Sequence, residues 1–542
     1  MRARSLPGLS WLGLALALLV SLPLVAVLIA AAVPAGAVWA HIAGTTLPEM
    51  LGNSLLLALL VALMAGSAGV VSAWLVSTCR FPGHRLLEVA LLLPLAMPAY
   101  VSGYAYVWLL EAAGPVQSAI RAATGLTWAE MAWFPEIRSL PGAALVLAMV
   151  LYPYVYLLCR AAFLQQSTCL IEVARTLGYG SARGFLHLAL PLARPALAAG
   201  LALALMEVLA DFGTVQHFGV RTFTTGIYET WFGMGDRGAA SQLAAALLGC
   251  VALLLLLERA ARGGRLFHPT TTRHPPFRPV QLGPLHGLLA AAACLMPVML
   301  GFGIPAGVLL FLMWEGGDPL APHRFLPFAT HSLLLSALTG LLAVMAAALL
   351  AWGVRLHPGV ITRGAARLAS LGYALPGSVI AVGVLVPFGL FDNALDQWLR
   401  ARFGISSGLL LSGSIAALIF AYLVRFMGVA LGAVESGLAR LKPSMRDAAR
   451  NLGAGAAGAI WRVELPLMKG SLISAGLLVF VDTMKELPAT LIIRPFDFDT
   501  LAVRVYTLAS DERLAEASTS ALLIVLAGLL PIAVLVRAMR GR

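Results

Sequence analysis

Charged residues are scarce in this chain of 542 residues, of which only 11% are Asp, Glu, Lys or Arg while 60% are hydrophobic. A soluble domain has about a quarter of its residues charged, so the composition excludes a soluble globular protein. Apolar runs of about 20 residues recur, and each can cross a ~30 Å hydrocarbon core as a helix. Such runs also exclude a membrane β-barrel, whose strands have about 10 residues of alternating polarity.

Several chemical signatures are also missing. The five cysteines are scattered without a CxxC spacing, which excludes a disulfide framework. No Gly-Lys dipeptide occurs, so the chain has no P-loop that could cradle nucleotide phosphates and magnesium. It also has no His-rich metal motif and no nucleophile elbow. We therefore expect a protein that is not an enzyme and holds neither a cofactor nor a metal ion of its own.

The basic residues give a net charge of +12, but they lie in short loops between apolar runs. This is the positive-inside pattern of a membrane protein, and it predicts no nucleic-acid partner. The same bias places both termini in the cytoplasm. The first apolar run, residues 12–35, is too long for a signal peptide. Twelve spans are predicted, at residues 11–36, 52–77, 87–110, 142–164, 194–217, 239–258, 285–313, 332–354, 368–390, 408–432, 469–492 and 518–537.

Two polar islands, one in each half of the chain, repeat the same pattern at one constant offset. The first is Glu172-Val173-Ala174-Arg175-Thr176-Leu177-Gly178, followed by Leu188-Ala189-Leu190-Pro191, and the second is Asp447-Ala448-Ala449-Arg450-Asn451-Leu452-Gly453, followed by Val463-Glu464-Leu465-Pro466. In each island, the pattern predicts a short helix with an acid near its N-terminus, an ion pair to the arginine three residues on, and a glycine that ends the helix at positive φ.

Other matches extend the repeat into the apolar spans. The sequence Asn53-Ser54-Leu55-Leu56-Leu57 matches His331-Ser332-Leu333-Leu334-Leu335, and Met97-Pro98 matches Leu375-Pro376. Both matches have the same offset, which is slightly longer than the offset between the islands. An internal repeat of this length fixes the architecture. We predict an all-α polytopic membrane protein of two parallel repeats with six spans each: a first repeat at 1–261, a cytoplasmic linker at 262–284 and a second repeat at 285–542.

The two islands resemble the cytoplasmic loop of the permeases in binding-protein-dependent ABC importers. That loop has the pattern Glu-Ala-Ala, three residues, Gly, nine residues, an aliphatic residue, one residue and Leu-Pro. The chain departs from it in Val173, which replaces the first alanine, and in Asp447, which replaces glutamate.

The resemblance implies the fold of a type I importer permease in the bacterial inner membrane, with lipid around it. It also implies two partners: a dimer of ATPase subunits that binds ATP and magnesium, and an extracytoplasmic solute-binding protein. The implied coupling residues are Glu172, Ala174, Arg175, Gly178, Leu188, Pro191, Asp447, Ala448, Ala449, Arg450, Gly453, Val463 and Pro466.

Acidic residues recur inside the spans that follow each Leu-Pro. Glu207 and Asp211 in the first half correspond to Asp482 and Glu486 in the second, and Lys485 adjoins the latter. The spacing of four residues predicts two carboxylates on one face of each helix. Ionisable residues inside spans mark a transport path by default. Equally, they could be packing anchors that pair with Lys485, Thr214 or Thr490.

The same segments resemble the fused permeases of ferric-iron importers, and carboxylate oxygens suit a hard cation. Importers of thiamine, phosphonates or other small anions have similar sequences and stay open as alternatives. A secondary transporter with twelve spans is the alternative from another class. An aromatic group of Tyr104, Tyr106 and Trp108 near the end of the third span is interpreted as an interfacial belt.

Overall fold

The computed structural model describes residues 7–33, 36–165, 181–262, 280–318, 321–439, 441 and 443–540. The core of the first island, Glu172 to Gly178, lies outside these residues, as does most of the predicted linker.

The described chain is almost entirely helical. In the first half the α-helices are α1 Pro7–Ala32, α2 Ala37–Thr45, α3 Leu47–Thr78, α4 His84–Ala90, α5 Ala99–Leu110, α6 Pro115–Thr124, α7 Leu140–Gln165, α8 Ser181–Gly184, α9 Leu190–Ala210, α10 Gly213–His217, α11 Phe223–Tyr228 and α12 Arg237–Arg262. In the second half they are α13 Pro284–Val298, α14 Ile304–Glu315, α15 Ala321–Leu356, α16 Val360–Ser370, α17 Gly377–Phe403, α18 Ile415–Ala439, α19 Pro443–Asn451, α20 Ala456–Ala459, α21 Leu465–Met484, α22 Pro488–Ile493, α23 Leu501–Ser510 and α24 Leu514–Arg540.

Shorter elements connect these helices. The 3₁₀ turns are Leu93–Ala96, Ala129–Trp133 and Leu371–Ala374, and the π-helical segments are Phe185–Ala189, Glu229–Gly233, Met299–Gly303 and Ile460–Glu464. Two short strands, β1 Cys79–Arg80 and β2 Val280–Gln281, pair in parallel. The end of the linker is thereby attached beside α3.

Among the described residues, eleven helices are long and apolar enough to cross a membrane. The helices His84–Ala96 and Ala99–Thr124 meet at an angle of 93°, and counting this bent pair as one span gives twelve. The protein is therefore a multi-pass membrane protein, and the predicted all-α class with about twelve spans is confirmed.

The repeat of the sequence is also a repeat of structure. The 3₁₀ turns Leu93–Ala96 and Leu371–Ala374 both precede a proline and then a helix, α5 or α17, at the offset that relates Pro98 to Pro376. The π-helical segments Phe185–Ala189 and Ile460–Glu464 both lead into a Leu-Pro helix start, at the offset of the two islands. The two halves therefore share one order of elements with breaks at equivalent places, as expected of the predicted parallel repeats.

The ninth span was wrongly predicted at residues 368–390. The structure has α16 ending at Ser370 and the spanning helix α17 running over Gly377–Phe403. Pro376 explains the difference, because the residue before a proline avoids the α-helical region. The chain stays apolar across this break, so its hydropathy does not show where one helix ends and the next begins.

The first span of each half packs on the other half. Ala17 and Val20 of α1 lie in the core of the second half, whereas Cys294 and Val298 of α13 lie in the core of the first. Small residues allow the backbones to approach closely: a Cβ atom on Gly383 of α17 would lie 2.4 Å from the carbonyl oxygen of Pro23. The two halves are thus held together by exchanged helices.

Candidate functional site

Two short helices at equivalent places of the two halves are capped by acidic side chains, which lie beyond the ends of the candidate spans Phe185–Ala210 and Ala457–Met484 and not inside them as predicted. α9 ends at Ala210, and Asp211 then accepts hydrogen bonds from Thr214 Oγ1 at 2.8 Å and from the backbone N–H of Val215 at 3.0 Å. These bonds satisfy donors at the start of α10 that have no partner within the helix. Asp211 therefore caps α10 and lies just beyond the end of the candidate span Phe185–Ala210.

Glu486 has the same role in the second half. Its carboxylate accepts from the N–H of Ala489 at 2.9 Å, the N–H of Thr490 at 3.0 Å and Thr490 Oγ1 at 2.7 Å, at the start of α22. Glu486 is buried. Its hydrogen bonds make the charged form tolerable there, because a buried charge is stable only when paired or hydrogen-bonded.

The other two acids have partners across short distances. Tyr373 Oη of the second half donates to Glu207 Oε1 at 3.3 Å, and Lys485 Nζ lies 2.9 Å from Asp482 Oδ1. The contacts of Lys485 with Asp482, of Thr214 with Asp211 and of Thr490 with Glu486 are those of the anchor interpretation. Because both acids of each pair also line a cavity, the anchor role does not exclude the path role.

The predicted arrangement of two carboxylates on one helix face is wrong in its geometry. Glu207 lies in α9, but Asp211 lies beyond its end in extended conformation, and Glu486 lies beyond the end of α21. Each helix breaks between its two acids because the second acid caps the next helix. In each half, the first acid lies in the spanning helix and the second lies in the segment that follows it, so the two carboxylates do not share one helix face.

All four acids line one cavity of about 110 Å³ between the halves. That volume holds several water molecules or a small ion, and is too small for a peptide. The polar and aromatic side chains that line it are Tyr100, Tyr154, Glu207, Asp211, Arg425, Asp482, Lys485 and Glu486.

Counted as ionised groups, four carboxylates and two cations give the cavity a formal charge of −2. Within the described residues, no three His, Cys, Asp and Glu side chains are arranged to hold a metal ion. The cavity therefore presents a net negative formal charge.

Arg425 and two tyrosines of the cavity were not predicted from the sequence. Arg425 lies in α18, where a charged residue inside a span was signal enough to flag it. A Cβ atom on Gly377 would lie 2.5 Å from Glu486 Oε1 and 3.0 Å from Arg425 Nη1, so glycine there leaves room for both side chains. Tyr100 and Tyr154 belong to neither of the repeated motifs, so no pattern in the sequence singles them out.

A second cavity of about 380 Å³ lies further along α5, toward the predicted outer face. Tyr104 lines it together with Trp108, His217 and an ion pair in which Arg138 Nε lies 3.0 Å from Glu111 Oε1. The predicted interfacial belt is wrong for two of its members: Tyr104 and Tyr106 are buried. Tyr106 instead joins the halves by donating to the carbonyl of Leu300 at 2.7 Å.

The second island forms a short helix, α19 Pro443–Asn451, as predicted, but the predicted place of the acid is wrong: the helix begins at Pro443, so Asp447 lies in its middle and not near its N-terminus. Gly453 has a φ of 85°, and the N–H of Ala454 donates to the carbonyl of Ala449 at 3.0 Å. This bond across six residues is the Schellman ending, for which a glycine at positive φ is typical. The helix thus ends abruptly where the repeat has its glycine. We call α19 the coupling helix, after the role that the resemblance implies for it.

The coupling helix has an exposed apolar end. Ala448 is exposed and Ala449 buried, while Leu452, just before Gly453, is 89% exposed. The side chains of Asp447 and Arg450 lie outside the described residues, as do Glu172, Ala174, Arg175 and Gly178 of the first island. The remaining predicted positions lie at the start of the following span: Leu188 and Val463 in the π-helical segments, Pro191 and Pro466 in the first turn of α9 and α21.

Comparison with known proteins decides the family. Residues 65–263 and 340–541 each match the family described as "Binding-protein-dependent transport system inner membrane component". The chain belongs to this family. It carries the family's domain twice, so it is a fused permease of a binding-protein-dependent ABC importer, and the alternative of a secondary transporter is excluded. The exact limits of the predicted domains and of the linker stay predictions.

The permease is similar to several transport proteins of known cargo. It is 27% identical over 489 residues to the "Fe(3+)-transport system permease protein FbpB 2" of Haemophilus influenzae, covering 89% of this chain and 88% of that protein. It is 30% identical over 196 residues to the "Molybdenum transport system permease protein ModB" of Escherichia coli, covering 35% of this chain and 82% of that protein. It is 28% identical over 165 residues to the "Sulfate transport system permease protein CysT" of Salmonella typhimurium, covering 30% of this chain and 55% of that protein.

Proposed function

We propose that this permease conducts ferric iron through the bacterial inner membrane, with both termini in the cytoplasm. The observation that carries the cargo assignment is the central cavity with four carboxylates and two cations. Carboxylate oxygens are the ligands that hard cations prefer. The similarity to FbpB 2 over most of both chains supports the same cargo.

Energy enters through the cytoplasmic islands. A dimer of ATPase subunits binds ATP and magnesium and docks on the two islands, and an extracytoplasmic solute-binding protein delivers the cargo. The exposed Leu452 and Ala448 of the coupling helix support this docking, because residues four apart adjoin on a helix and offer one apolar surface that a partner can bury. Small side chains let a groove of the partner approach the helix closely.

The test is uptake by liposomes that contain the permease with its ATPase subunits and receive the binding protein outside. We expect ATP-dependent accumulation of radioactive ferric iron, and little uptake of molybdate, sulfate, thiamine or phosphonate offered in its place. Uptake of iron without ATP would contradict the proposal that ATP hydrolysis drives transport. ATP-driven uptake of another cargo would overturn the iron assignment alone.

An oxyanion is the second candidate cargo, favoured by Arg425 and Lys485 in the cavity and by the similarity to ModB and CysT. The substitution Arg425→Gln separates the two cases. If the cargo is a cation, removing this positive charge leaves uptake within about threefold of the parent protein. If the cargo is an oxyanion, loss of a charged hydrogen-bond donor lowers uptake by roughly tenfold or more.

A further inference from the structure

The coupling helix is joined to the membrane helices by a buried acid. Glu464, at the end of the π-helical segment before α21, is 2% exposed. Arg446 of the coupling helix places Nη2 at 2.6 Å and Nε at 2.8 Å from Glu464 Oε1. The indole N–H of Trp352, in α15, donates to Glu464 Oε2 at 2.8 Å. One carboxylate therefore bonds the coupling helix and a membrane helix at once.

We call the contacts of Glu464 with Arg446 and Trp352 the joint. A second arginine, Arg355, extends the joint to the start of the second island. Arg355 of α15 lies 4.0 Å from Glu464 Oε1 and donates to the carbonyl oxygens of Leu438 at 2.6 Å and Leu441 at 3.1 Å. These carbonyls lie where α18 ends and the chain turns toward the coupling helix. The joint thus fixes the coupling helix at its entry, through Arg355, and in its middle, through Arg446.

The first half has no charged residue at the equivalent positions. By the offsets of the repeat, Ser77 corresponds to Arg355, Ala189 to Glu464 and Ile171 to Arg446. Trp74 corresponds to Trp352, and its ring packs on Phe163 and Phe185 with centroids 5.4 Å and 4.9 Å apart. An aromatic cluster therefore occupies the place of the ionic joint.

We propose that Glu464 is a positioning residue that transmits the movement of the second coupling helix to the membrane helices, through Arg446, Arg355 and Trp352. The inference rests on the proposed function, since it needs a partner that moves the coupling helix. Ionic and hydrogen bonds in a buried setting are strong and directional, so they transmit a displacement that apolar contacts would partly absorb. The two halves consequently respond unequally to their ATPase subunits.

The test uses Glu464→Gln in the full transporter, reconstituted with its ATPase subunits and binding protein. The matched control is Glu435→Gln, which neutralises an exposed acid of α18 in the same half. We expect the cargo moved per ATP hydrolysed to fall about tenfold in Glu464→Gln, within the 5–150-fold range of coupling between sites, while the control stays at the parent ratio. Amide hydrogen exchange over Pro443–Asn451 becomes faster in Glu464→Gln only.

Two further variants keep the inference falsifiable. Trp352→Phe keeps an aromatic ring and removes one hydrogen bond, so it tests the joint if Glu464→Gln does not fold. The double variant Glu464→Gln with Arg446→Gln adds little to the single one if the two residues act as a unit. If these variants move as much cargo per ATP hydrolysed as the parent protein does, the inference is overturned, even if their thermal stability is lower. If the parent protein shows no ATP-driven uptake, the proposed function fails, and unchanged amide exchange would then overturn the joint separately.

Discussion

At the scale of single residues, the intramembrane acids are of two kinds. Asp211 and Glu486 satisfy backbone donors at the start of short helices, and such bonds serve the fold whether or not cargo passes. Glu207 is held by one hydroxyl, and Asp482 by Lys485 alone among the described contacts. The same cavity therefore combines acids that bond to the local backbone with acids whose partners are side chains alone among the described contacts.

The two kinds of acid separate in a pair of substitutions. Glu486→Gln replaces an acceptor of three hydrogen bonds by an amide with one acceptor oxygen, so we expect a loss of about 1–3 kcal/mol of stability. Glu207→Gln keeps the hydrogen bond from Tyr373, so its melting temperature should stay within about 2 °C of the parent while uptake falls. Thermal unfolding in detergent and liposome uptake measure both. Equal losses of stability would show that Glu207 is also an anchor.

At the scale of elements, the ending of the coupling helix makes a sharp prediction. Gly453 has positive φ, where a side chain costs about 1–2 kcal/mol, and Gly455 nearby has open space and no positive φ. Gly453→Val should uncouple ATP hydrolysis from uptake, since a β-branched residue disfavours this conformation most. Gly453→Asn should retain more coupling, and Gly455→Val should behave as the parent. ATPase activity with and without binding protein measures coupling, and a coupled Gly453→Val would contradict the role of this ending.

The same elements show what hydropathy can predict. Apolar runs and basic loops were sufficient for the number of spans, and the repeat was sufficient for the parallel halves. The breaks at Pro98 and Pro376 were invisible, because the chain stays apolar across them. The sequence predicts the four acids correctly as a group, but it places both acids of each pair on one helix. That placement is wrong because Asp211 and Glu486 cap the helices that follow, α10 and α22, and the spacing of the acids in the sequence does not show this.

Contacts between segments that are far apart in the chain could not be predicted from the sequence. Glu464 stands inside a recognised motif, yet its partner Trp352 is 112 residues away and no pattern connects them. Arg425 was overlooked beside stronger motifs. The predicted positions from Asp447 to Arg450 lie in the expected helix, whereas the role of that helix in docking stays a prediction that only a partner can test.

At the scale of the whole molecule, exchanged first spans unite the halves. Gly383→Ala would place a Cβ atom against Pro23 of α1, so the first span must shift, at about 1–3 kcal/mol for overpacking. Gly389→Ala in the same helix meets nothing within 4 Å and should be neutral or slightly stabilising. Melting temperatures of the two variants test the contact. A neutral Gly383→Ala would show that α1 adjusts without loss.

The exchange also predicts that neither half is stable alone. Residues 1–270 would leave the surface of α1 without the second-half core that buries Ala17 and Val20, and residues 271–542 would leave α13 without its first-half core. Expressed separately, both fragments should be degraded or aggregate. Co-expressed, they should co-purify and restore ATP-driven uptake, because parallel halves with exchanged spans need the partner half but not the peptide bond between them. A stable, monodisperse half on its own would show that the exchanged spans are accessory to folding, and that each repeat completes its own core.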